Sequence, residues 1–384
     1  MTDAATATAT PPLSTSDAPW DAVVIGAGPA GALAAQQLAG RGLRTLVVDA
    51  KRFPRSKVCG GCLNRRGVTA LDAAGLKHVL GVSQAARVTT LHWIVGAERA
   101  RFALPEMRVV DRAAFDLALV EAARRAGATF WDGTLACVEP GPQTGYRNVT
   151  ANQSSTQFTI RARVVICADG LARSSVKRLP EFGSLISSRS RIGVGATVEY
   201  DGPLARDEIA MIVGRPGYVG LARSGDRRLN VAAALDPVWL ARSTASELIA
   251  DMLRDAGLHV LDDWSHVSWH GTPPLTGRPN RVAAERLFVI GDASGYVEPF
   301  SGEGMATALQ SALAVAPLAV AAARDWRSSL VEEWAAVERR LVVDQQSTCR
   351  QLAWMLRRPL VAAMALRICR VQPWVAQRFI AKVS

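Results

Sequence analysis

The first nineteen residues lack both the basic residues and the apolar stretch that a signal or transit peptide needs. They are rich in Ala, Thr, Ser and Pro, which predicts a disordered N-terminus over residues 1–19. Further along, no apolar run approaches the roughly eighteen residues that span a bilayer. Six cysteines without a secretory signal indicate a reducing, cytoplasmic setting.

The sequence also has few Cys and His residues at the spacing that metal ligands need. Cys59 and Cys62 form the single C-x-x-C pair, and no second pair or His-x-x-x-His spacing supplies the remaining ligands of a zinc site. We therefore expect no metal. No internal repeat is visible either, which excludes solenoids and propellers.

Acidic residues are missing from the end of the chain. Residues 345–384 hold seven Lys or Arg and no Asp or Glu, whereas the net charge of the whole chain is +11. A basic amphipathic helix suits an anionic membrane surface, although the same apolar stripe could pack on the body of the protein. No nucleic-acid module accompanies the charge, so we expect no nucleic-acid partner. The apolar residues at helical spacing are Leu352, Met355, Leu356, Leu360, Met364, Trp374, Phe379 and Ile380.

What the sequence does contain is a glycine-rich turn between an apolar run at residues 22–25 and a helix-like segment. Its glycines allow a sharp turn, a close approach of the backbone to a pyrophosphate, and close packing of the helix on the strand. An acidic residue that ends the next apolar run accepts hydrogen bonds from a ribose. The pattern predicts a dinucleotide site in a doubly wound α/β domain. Its residues are Gly26, Gly28, Pro29, Ala30, Gly31 and Asp49.

Two later segments identify the dinucleotide. Residues 164–170 read as a buried strand that ends in Asp169-Gly170, and residues 287–293 read as another that ends in Gly291-Asp292. A glycine-rich helix start follows at residues 299–305. In this order the segments resemble the flavoprotein family that includes para-hydroxybenzoate-type aromatic hydroxylases and geranylgeranyl reductases. The resemblance covers about residues 21–322.

This resemblance implies bound FAD. Asp292 would hold the ribityl chain, Arg112 at the start of a helix would lie against the flavin, and Asp169 belongs to the cofactor region without a choice between FAD and nicotinamide. No second dinucleotide fingerprint is present, so the electron donor is either NADPH or NADH bound transiently over the FAD site, or another protein. The helix start that would face the flavin comprises Gly302, Glu303, Gly304 and Met305, after Pro299, Phe300 and Ser301.

Residues 57–64 resemble the cysteine loop of geranylgeranyl reductases, with Cys62 where that family commonly has glycine. The resemblance places Lys57 and Cys59 beside the flavin and makes Cys59 a candidate catalytic residue. Alternatively, Cys59 and Cys62 are a thiol pair that exchanges electrons, or both merely pack in the loop.

Residues 216–221 are similar to the Gly-Tyr-x-Trp motif that lines the substrate cavity of these reductases. Gly220 replaces the tryptophan, which indicates a wider pocket or a degenerate motif. Tyr218 is the side chain expected near the substrate, and the alternative is a half-buried tyrosine of a sheet.

Residues 87–104 and 192–235 alternate apolar and polar residues, with breaks at residues 214–217 and 224–226. They predict an antiparallel sheet inserted in the cofactor domain. We expect an FAD-binding domain of residues 20–86, 106–190 and 270–324, a substrate domain of residues 87–105 and 191–269, and a basic helical tail of residues 325–384.

The resemblance predicts an FAD-dependent oxidoreductase that reduces C=C bonds of an isoprenoid or other lipid by hydride transfer. One alternative is an FAD-dependent monooxygenase that hydroxylates a phenolic lipid or polyketide, and another is a non-enzymatic flavin electron-transfer protein. A halogenase is disfavoured because the Trp-x-Trp-x-Ile-Pro stretch is absent. The expected location is the cytoplasm, with peripheral contact to the inner face of the membrane through residues 345–384.

Overall fold

The computed structural model describes residues 18–298, 302–372, 374, 376 and 377, apart from the side chains of residues 343–348. The predictions for residues 1–17, for Pro299, Phe300 and Ser301, and for Phe379 and Ile380 lie outside the described residues.

The strands are β1 (Trp20–Ile25), β2 (Thr45–Val48), β3 (Cys62–Asn64), β4 (Ala86–Val95), β5 (Glu98–Val109), β6 (Thr129–Trp131), β7 (Thr134–Val138), β8 (Arg147–Gln153), β9 (Thr156–Cys167), β10 (Ser184–Ile186), β11 (Ile192–Glu199), β12 (Glu208–Val213), β13 (Gly217–Arg223), β14 (Arg228–Leu235), β15 (His270–Pro274), β16 (Gly277–Pro279), β17 (Ala283–Ala284) and β18 (Leu287–Val289). The helices are α1 (Pro29–Ala39), α2 (Arg65–Ala73), α3 (Val79–Val82), α4 (Arg112–Arg125), α5 (Pro237–Leu240), α6 (Ala245–Asp255), α7 (Glu303–Arg324), α8 (Ser329–Glu338), α9 (Asp344–Leu356) and α10 (Pro359–Val371).

The first sheet carries the glycine-rich turn and has the order β17-β18-β9-β1-β2-β6. Its strands β18, β9, β1, β2 and β6 are parallel. Alternate residues of β1 enter cores on opposite faces, with Ala22 and Val24 packed towards the helices and Val23 and Ile25 towards the other side. A strand buried on both faces reads as a continuous apolar run, so the predicted doubly wound fold is confirmed.

The second sheet has the order β15-β11-β14-β13-β12-β4-β5-β3. Its pairs are antiparallel, as the alternation predicted, except that β4 and β12 run parallel. The predicted breaks at residues 214–217 and 224–226 connect β12 to β13 and β13 to β14. Strand β5 continues to Val109, beyond the predicted domain boundary at 105, and β3 pairs with it.

Helix α7 corrects the expectation that no segment is apolar and long enough to span a bilayer. It has 22 residues, and an 18-residue window within it has a mean hydropathy of 1.6. Thr307, Gln310 and Ser311 interrupt its apolar run, but the surrounding Ala, Val and Leu keep the mean high. Small residues let α7 pack closely against α1, and 56% of the window is buried, as in a core helix.

The C-terminal segment is helical, as predicted. Inner residues of α9 and α10 join a core cluster with β4, β5 and β12, so these two helices cover one face of the second sheet. The predicted stripe is therefore divided: Leu352 and Leu356 are buried, whereas Leu360, Met364 and Trp374 are exposed.

Candidate active site

A single cavity of about 430 Å³ lies between the carboxyl ends of the first sheet and one face of the second. It brings together sequence-predicted residues from eight separate stretches of the chain. Those that line it are Gly26, Gly28, Pro29, Ala30, Asp49, Lys57, Cys59, Arg112, Asp169, Tyr218, Asp292, Gly302, Gly304 and Met305. Gly31, Gly291 and Glu303 lie behind this lining.

The glycine-rich turn is shaped by close backbone contacts. A Cβ atom on Gly31 would lie 1.8 Å from the carbonyl oxygen of Gly26, so only glycine lets α1 start this near the strand. Asp49 accepts a hydrogen bond from the Ala27 N–H at 2.8 Å, which ties the acid to the turn. No side chain caps α1, so its first N–H groups are available to an anion.

Arg55 is a residue of this site that the sequence reasoning missed. Its Nη2 atom lies 3.3 Å from the Asp116 carboxylate, and its Nε lies 3.8 Å from that of Asp49. Nη2 also lies 3.5 Å from where a Cβ of Gly28 would be. This places a cation beside the predicted pyrophosphate position. Arg55 follows no fixed spacing from the glycines, so no motif signalled it.

Three charged side chains meet where the two sheets face each other. Arg112 makes two hydrogen bonds to Asp116, at 3.0 and 2.8 Å, and Cys59 lies close enough to interact with its guanidinium. Although burial opposes its charge, these two partners raise the pKa of Arg112. Burial and the charge of Arg112 lower the pKa of Lys57, whereas burial raises that of Asp292 against the pull of Lys57 and Arg112.

Asp169 contributes backbone to the cavity, but its carboxylate points elsewhere. It accepts hydrogen bonds from the Ser175 N–H at 2.7 Å, the Ser175 hydroxyl at 2.8 Å and the Ser174 hydroxyl at 3.1 Å. These bonds hold the turn at residues 174–176 after β9. The side chain therefore positions the loop at the cavity wall.

The cysteine loop lies against the start of α7. Gly302 has φ +75°, and a Cβ there would lie 2.6 Å from the carbonyl oxygen of Cys62. Both cysteines are free thiols. Burial and the neighbouring Cys59 raise the pKa of Cys62 to about 12, which disfavours the thiolate that thiol–disulfide exchange needs.

The Glu303 side chain is directed away from the cavity. Its carboxylate accepts a hydrogen bond from the Cys349 Sγ of α9 at 2.8 Å, and both groups are buried. Glu303 thus connects α7 to α9. The neighbouring Gly302 and Gly304 face the cavity.

The opposite wall of the cavity is an apolar floor on the second sheet. Tyr218, Gly220 and Ala222 point to the same side of β13, and Gly220 is in register with Met211 of β12. Small side chains leave this floor open. Its other members are Gly193, Ile209, Ala232, Ala234 and Leu275.

Two phenols border the floor, that of buried Tyr218 and that of half-buried Tyr296. Burial and the charge of Glu298 raise the pKa of Tyr218 well above its usual value, and burial and Asp292 do the same for Tyr296. Both therefore retain the Oη proton at neutral pH. Sequence reasoning missed Tyr296, although its position four residues after Asp292 could have indicated it.

These features fit FAD. An uncapped helix start with Arg55 beside it suits a pyrophosphate, Asp49 suits a ribose, and Asp292 suits a ribityl chain. Gly302 and Gly304 leave the start of α7 without side chains towards the cavity, so its N–H groups can stabilise negative charge on a flavin ring.

Comparison with known families gives a match to an FAD-binding domain over residues 20–349. Among characterised proteins, the chain is 27% identical over 319 residues to digeranylgeranylglycerophospholipid reductase 1 of Methanothermobacter thermautotrophicus, covering 79% of this chain and 77% of that protein. It is 28% identical over 330 residues to menaquinone reductase of Mycolicibacterium smegmatis, covering 78% and 76%. It is also 25% identical to conditioned medium factor receptor 1 of Dictyostelium discoideum, over 76% of this chain and 61% of that longer protein.

Two solved structures show the same fold. The flavin-dependent brominase Bmp2 superposes with a TM-score of 0.78 at 14% identity, covering 95% of this chain and 93% of that one. A geranylgeranyl bacteriochlorophyll reductase-like protein of Thermoplasma acidophilum superposes with a TM-score of 0.69 at 20% identity, covering 94% and 99%. At these identities the likeness concerns architecture.

Proposed function

The chain belongs to the FAD-binding domain family, and from that premise we propose that it reduces carbon–carbon double bonds of an isoprenoid or other lipid. It is an FAD-dependent oxidoreductase. The observation that carries the proposal is the undivided cavity, with a dinucleotide cradle on one wall and an apolar floor on the other. A long apolar substrate fits such a floor, and the reductases named above act on lipid or quinone substrates by their names.

Bound FAD supplies a hydride donor, and the protein supplies binding, orientation and electrostatics. The start of α7 and the cations Lys57 and Arg112 stabilise negative charge at the cofactor. The floor of β12, β13 and β14 holds the apolar substrate and excludes water. Reduction of a C=C bond takes one hydride and one proton, and Tyr218 and Tyr296 each hold a proton at Oη inside the cavity.

We infer that reduced nicotinamide, NADPH or NADH, supplies the electrons by transient contact at the mouth of this cavity, because the sequence has no second dinucleotide fingerprint. We also place the protein peripherally on the inner face of the membrane, where a lipid substrate resides, with contact through residues 345–384. Rapid bleaching of the flavin absorbance by NADPH or NADH in the absence of oxygen tests the donor.

The substrate class is tested by anaerobic turnover. The protein is reduced without oxygen, and a polyprenyl lipid is added. We expect the oxidised flavin spectrum to return while one double bond is lost per flavin. A protein that leaves the alkene intact but consumes one dioxygen per hydroxylated phenolic product would instead be a monooxygenase.

The cysteine loop gives a matched pair of variants for the same assay. Cys59→Ser removes the thiol that contacts Arg112, and Cys62→Ser removes one directed to the Gly60 carbonyl oxygen. We expect lower turnover with Cys59→Ser and little change with Cys62→Ser. A variant with both substitutions separates a further alternative. If it retains FAD but no longer transfers electrons to any acceptor, the two thiols exchange electrons and the protein is an electron-transfer protein.

A further inference from the structure

The outer face of α10 exposes a continuous stripe of large apolar side chains. Leu360 is 87% exposed, Met364 60%, Ile368 48% and Val371 77%. Their spacing of four, four and three residues places them on one side of the helix. Scattered exposed apolar residues are ordinary on a protein surface, but an aligned row on one helix indicates an interaction surface.

Aromatic and basic residues border this stripe. Trp354 of α9 is exposed, and the Arg358 guanidinium lies 4.2 Å from the centre of its ring. Exposed Trp374 lies beyond the other end of the stripe. Such rings are typical of the interface between headgroups and acyl chains, where one edge is apolar and the other is wet.

The charge around the stripe is mainly positive. Arg367 and Arg370 rise from α10, and within the described part of the chain they share a single carboxylate, that of Glu98, at 2.8 and 3.5 Å. Residues 345–384 contain no acidic residue. Apolar side chains between arginines complement an anionic phospholipid surface, where the stripe enters the acyl boundary and the cations meet the headgroups.

The inner side of the same two helices packs at the substrate cavity. Leu356 and Leu366 belong to one core cluster with Met107, Met211 and Tyr218, which line the cavity. The two helices therefore pack beside the cavity, on the same face of the second sheet as the apolar floor, with the apolar stripe on their outer face.

We propose that the outer face of α9 and α10, formed by Trp354, Leu360, Met364, Ile368 and Val371, docks on an anionic lipid bilayer. A lipid substrate then leaves the bilayer next to the cavity, without crossing water. The docking names the surface for the membrane contact proposed above, and the route rests on the proposed reaction.

The test is co-sedimentation of the purified FAD-bound protein with vesicles. One set contains phosphatidylcholine alone, and the other contains phosphatidylglycerol as well. We expect binding to the phosphatidylglycerol vesicles that falls at high salt, because screening weakens the contribution of the arginines. The triple variant Leu360→Ser/Met364→Ser/Val371→Ser should lose at least roughly tenfold in partitioning, since apolar burial drives insertion.

The control is Val82→Ser/Leu185→Ser/Val238→Ser, which removes three exposed apolar side chains of similar size from elsewhere on the surface. It should bind like the unchanged protein. Retained flavin absorbance and circular dichroism show that each variant is folded. Equal binding by both triple variants, or absence of binding to anionic vesicles by the unchanged protein, overturns the proposal. So does a dimer in solution that only the α10 variant abolishes, because a second copy then covers the stripe.

An assay with a second substrate distinguishes a failure of membrane docking from a failure of the proposed reaction. A short isoprenoid alkene dispersed in water needs no bilayer. If the α10 variant reduces it normally but fails with lipid embedded in vesicles, both proposals stand. If vesicle binding occurs and neither alkene is reduced, the docking stands and the proposed reaction is wrong.

Discussion

The two walls of the cavity are built by opposite means. The proposed cofactor wall uses backbone N–H groups, tight glycine contacts and charged groups such as Arg112, which binds Asp116, and Asp292, which lies near Lys57 and Arg112. The substrate wall uses residues with little or no side chain, such as Gly220, Ala232 and Ala234, and two methionines. Specific polar and charged groups thus suit one wall to a polar ligand. The small side chains of the other wall leave an apolar space that suits an apolar ligand.

If this contrast holds, the largest effect should follow from adding a side chain to the cofactor wall. Gly302→Val forces a β-branched residue into φ +75° and brings its Cβ to 2.6 Å from the Cys62 carbonyl oxygen. The start of α7 cannot keep its place, and we expect FAD affinity to fall about a thousandfold or more.

Equilibrium dialysis with FAD measures this loss. The control is Gly271→Val, at a strand position where a Cβ meets nothing within 4 Å. Full FAD occupancy in Gly302→Val would show that the helix start is not part of the cofactor cradle.

A large side chain on the substrate wall should leave FAD in place. Gly220→Trp restores the tryptophan of the related reductase motif and fills the open floor beside Met211. We expect normal flavin content and roughly hundredfold slower turnover of long isoprenoids, because overfilling a packed cavity displaces the ligand.

Steady-state rates with a short and a long alkene test this expectation, and the short substrate serves as the internal control. Equal losses for both lengths, or loss of FAD, would contradict the division of the cavity into two independent walls.

The smallest expected effect is on folding stability and comes from Glu338, a buried carboxyl group in α8 next to the turn that carries Asp292. Burial raises the pKa of Glu338 from 4.5 to about 7, although a hydrogen bond with Ser294 in the Asp292 turn opposes the shift. The folded state therefore binds this proton more tightly than the unfolded state. Stability is greatest at low pH and falls as pH rises from about 4.5 to about 7.

Glu338→Gln removes the ionisation, so it should stabilise the protein by about 1–2 kcal/mol at pH 8 and far less at pH 5. Urea unfolding at both pH values measures the difference. Glu332→Gln, an exposed change on the same helix, is the control. A gain that is identical at the two pH values would point to a cause other than titration.

The sequence predicted many residues that line the proposed cofactor wall, because the backbone geometry there restricts residue type. A Cβ on Gly31 or on Gly302 would collide with another backbone atom, so each position favours glycine and each belongs to a short glycine-containing motif. Arg55 and Asp116 face each other across tertiary structure, without fixed spacing. The residues of the apolar floor could not be predicted from the sequence, because Ala and Gly in a strand that lines a cavity do not differ from Ala and Gly in other strands.

Two further features depended on contacts between distant segments. Glu303 lies in a predicted cofactor motif, but its side chain turned out to bond Cys349 of a helix 46 residues later. The parallel pairing of β4 with β12 was also beyond the alternation pattern, because alternation reports which face is buried and not the direction of the neighbouring strand.

A single buried carboxylate has a consequence for how the chain matures. Glu298 binds Arg191 at 2.7 Å and Arg357 at 3.0 Å, and Arg191 also reaches the carbonyl oxygen of Leu356, 165 residues later. Three segments made at different times during synthesis therefore meet at one point. Until the segment that carries Arg357 has been synthesised, Glu298 has only one of its two guanidinium partners. The contacts that hold this buried carboxylate are therefore complete only once the residues that follow α9 have folded back onto it.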